Sequence, residues 1–171
     1  MPINDYEDVS VYGLDAEREV ELLDRQNECT FCWSTRDGSP MAVIMSYLYR
    51  DGRFWLTASG QRKRIAAVRR DPRVSIVVSS AGTSLPPNRT VTYKGRCRVH
   101  DDETTKRWFY PALAAALHPS DAERAEVFAR FLDSPRRVVL EVQPVQRIGF
   151  DGTKMSAATT AAAWGGNDAR P

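Results

Sequence analysis

Apolar residues recur in two different rhythms along this chain. Over 15–26, Val20, Leu22 and Leu23 stand among charged residues, the spacing of a helix that buries one face. From Cys29 the period shortens towards two. Residues 29–35 are rich in Phe, Trp and Thr and close on Asp37-Gly38, a hairpin signal. Over 41–49, Met41, Val43, Met45, Tyr47 and Tyr49 alternate with Ala42, Ile44, Ser46 and Leu48, which predicts a second strand with one row on each face. Asp51-Gly52 makes another hairpin turn before a third strand over 54–57. A helix is expected to open at Ser59 or Gly60 and to stop at Asp71-Pro72. The near-continuous apolar run over 74–79 predicts a strand buried on both faces. Strict alternation returns over 90–100, with Val91, Tyr93, Cys97 and Val99 inward and Thr92, Lys94, Arg96 and Arg98 outward. Gly95 breaks the inward row and marks a bulge or bend. Helices follow over 102–117 and 120–132, the second opened by the capping pattern Ser120-Asp121-Ala122-Glu123. A sixth strand runs over 137–142 and continues past Pro144 to Phe150.

Six short strands joined mostly by hairpins, with inserted helices, describe an α+β fold built on an antiparallel barrel. No repeat or linker divides it, so 1–155 is expected to form one domain. The remainder, 156–171, is rich in Ala, Thr and Gly, with Trp164 as its one anchor. It reads as a loose tail or as a segment lying on a partner subunit.

Composition changes this picture little. The 171 residues are 42% hydrophobic and 27% charged, an ordinary globular balance. No apolar run reaches the ~20 residues of a membrane span. The acidic start Met1-Pro2-Ile3-Asn4-Asp5 lacks a secretory signal, so the expected location is cytoplasmic. A net charge of +2 is too small to suggest nucleic acid. Its distribution is uneven: Arg62, Lys63, Arg64, Arg69, Arg70 and Arg73 are opposed locally only by Asp71. Cys29 and Cys32 spell C-x-x-C, but on a strand they point to opposite faces. His100 and His118 are the sole histidines, too few to complete a zinc set with them.

The candidate chemistry lies in Thr57-Ala58-Ser59-Gly60-Gln61-Arg62-Lys63-Arg64, where a strand ends, a Ser/Gly turn follows and a helix begins with adjacent cations. A helix start favours an anion, and Arg62 offers a planar fork to phosphate oxygens while Lys63 adds a compact charge. The same residues also suit a solvated basic helix face, and spacing alone leaves both readings open. The segment Asp51-Gly52-Arg53-Phe54-Trp55-Leu56-Thr57, continued through Lys63, resembles the cofactor-binding hairpin and turn of the pyridoxamine 5'-phosphate oxidase-like split barrels. Gly38-Ser39-Pro40, Arg70-Asp71-Pro72-Arg73-Val74-Ser75 and Phe150-Asp151-Gly152-Thr153-Lys154-Met155 are similar to it as well.

The resemblance implies a homodimeric six-stranded split barrel with peripheral helices, holding FMN or the deazaflavin coenzyme F420 in a groove between subunits. It implies that Arg62 and Lys63, with Gln61 beside them, hold phosphate, and that Thr57 and Ser59 add hydroxyl bonds. Val43, Ile44, Met45 and Ser46 would lie along the ring, partly through backbone groups. The oxidases themselves place basic residues on the second strand, where this chain has Met41 and Ser46. It is therefore more similar to the flavin/deazaflavin-dependent oxidoreductase branch, which reduces unsaturated small molecules. Arg64, Arg69 and Arg70 are expected to meet an anionic cofactor tail, which favours F420 over FMN. No Ser-His-Asp pattern is present, as befits an enzyme whose cofactor carries the hydride. Tyr47, Tyr49, Trp55, Trp108 and Tyr110 serve either a substrate pocket or the core. Other readings are a non-catalytic binder of flavin, haem or bilin, and a single-strand nucleic-acid binder; against the latter, Thr92, Lys94, Arg96 and Arg98 supply charge while the aromatics lie mainly on other strands.

Overall fold

The computed structural model describes residues 8–164, with side chains described to Thr160. A short 3-10 turn, Val9–Tyr12, leads into helix α1, Ala16–Arg25, which buries Leu22 and Leu23 as its charge pattern requires. The strands are β1 (Glu28–Ser34), β2 (Pro40–Ser46), β3 (Leu48–Arg50), β4 (Arg53–Ser59), β5 (Arg73–Ser79), β6 (Arg89–His100) and β7 (Arg137–Asp151). Helix α2 (Lys63–Arg70) joins β4 to β5, and α3 (Glu103–Leu117) and α4 (Ala122–Leu132) join β6 to β7. Asp102 and Asp121 cap α3 and α4, accepting from the amides of Thr105 and Arg124 at 2.8 Å each.

Seven strands form one antiparallel sheet in the order β2-β1-β5-β6-β7-β4-β3. The expected six become seven because the alternating stretch 41–49 changes partner midway. Its first part pairs with β1 and its second with β4, at opposite ends of the sheet. Tyr47 is the hinge. Its amide donates to Asn27 O at 3.1 Å and its hydroxyl to Leu23 O at 3.2 Å, and its ring is buried. Alternation continues unbroken through Tyr47, so the side-chain pattern holds no sign of the change of ladder. The sheet thereby curls until β2 approaches β4, and no ladder joins the two there. That opening is the split of the barrel.

The inner face carries Phe31, Phe54, Leu56, Ile76, Val78, Val91 and Leu140, all fully buried. A second apolar cluster lies on the outside, where Phe109, Tyr110 and Leu113 of α3 and Leu132 of α4 cover Val139 of β7 and Trp55 of β4. Strand β5 corrects an expectation: Val74, Ile76 and Val78 are buried, but Ser75, Val77 and Ser79 are only half covered. One face is core and the other lies beneath nothing dense. The row Val91, Tyr93, Gly95, Cys97 points inward on β6 as predicted, and the register slips between Lys94 and Gly95. Pro144 stands opposite Gly95 there, a residue with no N–H to give the ladder.

The expected boundary at residue 155 is crossed by helix α5, Gly152–Trp164. The Ala-rich stretch read as loose is helical through 164, in keeping with the propensity of alanine. The side chain of Trp164 and residues 165–171 lie outside the described residues.

Candidate functional site

Strand β4 presents Phe54, Leu56 and Ala58 to the core, which puts Trp55, Thr57 and Ser59 on the outer face. Ser59 still belongs to the ladder, opposite Arg137 of β7. The amide of Gly60 then donates to Arg136 O at 2.7 Å, and a Cβ on Gly60 would lie 3.0 Å from that oxygen. A residue without a side chain lets the start of β7 pass this close. Arg62 N donates to Ser59 O at 3.0 Å and closes the turn. The helix therefore begins at Lys63, with Arg62 as an extended N-cap, and not at the expected Ser59 or Gly60. The amide of Gly60 is engaged by β7 and cannot join it.

Gln61, Arg62 and Lys63 are exposed, and among the described residues none of their side chains has an ion-pair or hydrogen-bond partner. Arg64 is half-buried, and its Nε has no partner; burial and the neighbouring Arg62 charge hold its pKa below the usual range. Arg137 is in the same state, with a buried Nε lacking an acceptor and its guanidinium 5.9 Å over the Phe131 ring. The end of β4 thus carries Arg62, Lys63, Arg64 and, across the ladder, Arg137, and among the described residues none of the four is in a salt bridge. Buried donors are normally satisfied, so the orphaned Nε groups of Arg64 and Arg137 are open to an acceptor.

Other expectations are adjusted. The Thr57 hydroxyl donates to Val138 O at 2.9 Å, so it keeps only lone pairs for a ligand, whereas Ser59 remains free to donate. Arg69 and Arg70 do not reach the turn. Arg69 pairs with Asp101 at 3.4 Å and Arg70 donates to Ser34 O at 2.9 Å, at the far end of α2 about 10 Å away. Across the split, β2 is an edge strand. Met45 is buried and Val43 packs against the core, so either could meet a ligand only through backbone, while Ile44 (64% exposed) and Ser46 face outward.

The aromatics are mainly packing. Tyr47 lies edge-on to Phe54 at 5.3 Å and Trp55 edge-on to Trp108 at 4.8 Å. His100 is engaged on both ring nitrogens, 2.7 Å from Glu141 and 3.5 Å from Asp102, and so is not an open axial ligand. On β1, Cys29 points inward and Cys32 outward, and burial pushes the thiols of Cys29 and Cys97 up to about 12. No helix among the described residues is long and apolar enough to cross a membrane. Two features were not predicted from sequence. One is Arg137, whose place beside Ser59 depends on strand pairing. The other is a concavity of about 560 Å³ between Ser46 and α4. A larger one, about 790 Å³, lies between α3 and α4.

The sequence profile of the family described as pyridoxamine 5'-phosphate oxidase matches residues 16–149. No curated protein matches the sequence. Among solved structures, the conserved hypothetical protein Rv2991 from Mycobacterium tuberculosis superposes with a TM-score of 0.72 at 18% identity, covering 85% of this chain and 90% of its own. A protein titled F420 reductase gives 0.58 at 18% identity over 74% and 93% of the two chains. HutZ, the heme storage protein from Vibrio cholerae, gives 0.60 at 12% identity over 79% and 95%. At these identities the likeness is one of fold.

Proposed function

The chain belongs to the pyridoxamine 5'-phosphate oxidase family, and from that premise we propose that it is an oxidoreductase binding coenzyme F420 along the split of the barrel, with an unsaturated small molecule as hydride acceptor. The observation that carries the reading is the uncompensated cation set at the end of β4, with orphaned donors on Arg64 and Arg137. These residues fit an anionic phosphate-bearing group. Arg62 and Lys63 would grip it from solvent, Ser59 would donate from the strand, and Arg64 and Arg137 would supply the inner donors. Two inner cations beyond the Arg-Lys pair favour the more anionic tail of F420 over FMN. The ring carries the hydride chemistry itself when bound, while the chain binds, orients and excludes water. Ile44 and Ser46 supply the outward wall on β2, and Val43 and Met45 serve through backbone.

A second copy of the chain completes the groove in this reading. The split is open in one protomer, and Ile44 beside it is an exposed apolar residue that a partner would cover. Titration of the purified protein with F420 and with FMN, followed by cofactor fluorescence, tests the assignment. Arg62→Ala with Lys63→Ala removes two charge-assisted contacts and should weaken binding about a hundredfold or more. Equal affinity in the double variant sinks the site, and tighter binding of FMN than of F420 reverses the choice of cofactor.

A further inference from the structure

Helix α4 carries an apolar stripe that its own fold does not use. Arg124, Val127, Phe128 and Phe131 fall at i, i+3, i+4 and i+7, one face of the helix. Val127 is 54% and Phe131 68% exposed, so the stripe is turned away from the core that Leu132 enters. The Phe128 and Phe131 rings lie 6.3 Å apart at 19°, and His118 stands edge-on to Phe128 at 5.4 Å. This aromatic wall faces Ser46 of β2 across the concavity of about 560 Å³, within the range of small-molecule pockets.

Charge narrows the occupant. Arg124 stands at one end of the stripe and has no ion partner among the described residues. Glu28 is the single acid of the lining and belongs to the opposite, strand wall. Parallel rings accept a flat π-system, and the unpaired Arg124 guanidinium accepts a carboxylate. We propose that the concavity between α4 and the Ser46 end of β2 binds a planar conjugated carboxylic acid. Its role as the substrate pocket rests on the proposed cofactor site, because Ser46 belongs to both. The binding itself does not.

The probe is 2-naphthoate, with its uncharged methyl ester as comparison, titrated calorimetrically into the full chain without added cofactor. Phe131→Ala should weaken naphthoate about tenfold, and Val127→Trp, at an exposed position that tolerates bulk, should fill the cavity and abolish binding. Arg124→Gln should weaken naphthoate about fivefold and leave the ester unchanged. Arg62→Ala with Lys63→Ala should leave naphthoate binding intact, so failure of the cofactor site and failure of this pocket are separable. Unchanged naphthoate affinity in Phe131→Ala and Val127→Trp overturns the proposal. So does a tenfold loss of cofactor affinity in Phe131→Ala, because the cavity then holds the ring. Conversion of a dimer to a monomer by Val127→Trp also overturns it, because the stripe is then an interface between copies.

Discussion

A Cβ on Gly95 would stand 2.7 Å from Val142 Cγ1 and 2.9 Å from the carbonyl oxygen of Gln143, closer than packed atoms tolerate. Neither neighbour can yield easily, since one is core and the other backbone. Gly95→Ala should therefore destabilise the fold by about 2 kcal/mol, read as a lower urea midpoint with an unchanged slope. This position was legible in the sequence because a missing side chain interrupts an otherwise regular inward row. The cation cluster was legible only in part. Arg62, Lys63 and Arg64 are contiguous in sequence and stand together at the start of α2. Arg69 and Arg70 looked equivalent to them, yet one helix length separates the two groups. Arg137 carried no signal, because its position opposite Ser59 is fixed by a ladder between distant segments.

Asp151 ties several elements together from a fully buried position at the end of β7. Its carboxylate accepts from Arg18 of α1 and from the amide and hydroxyl of Thr153 in α5, at 3.0 and 2.6 Å, and Arg89 Nε of β6 lies 3.9 Å away. Burial alone would push the carboxyl up, but the bonds from Thr153 and Arg18 outweigh it and hold the pKa at about 2, against 3.8 ordinarily. A folded value below the unfolded one contributes stability in full above pH ~4, lost as pH falls toward ~2. Asp151→Asn should cost about 2 kcal/mol at pH 7, and the gap from the parent should close as pH drops through that window. Surface acids such as Asp71 also lie low, so the difference between the two proteins over pH is the quantity to measure. At this scale the helices and most strands were readable from periodicity and caps. The break at Tyr47 was not, because changing ladders leaves the alternation of side chains intact.

The whole molecule is a curled sheet with an opening along one line, and the proposed cofactor site occupies that line. A barrel left open in a single protomer, with exposed Ile44 at its lip, should pair with a second copy. Light scattering at micromolar concentration should give twice the chain mass, and a monomer at that concentration would remove the shared groove. The antiparallel barrel and its helices followed from strand patterning, but which edge strands face each other across the opening depended on the sheet order. That order has a consequence for biosynthesis. Strand β7 is the last of the described strands to leave the ribosome, yet it sits between β6 and β4 and is buried on both faces at Val138, Val139 and Leu140. Until residue 151 has been translated, β4 lacks its central partner and the earlier strands form two unconnected pieces. The nascent chain must hold apolar strands in waiting, and its sheet can close only in a late, long-range step.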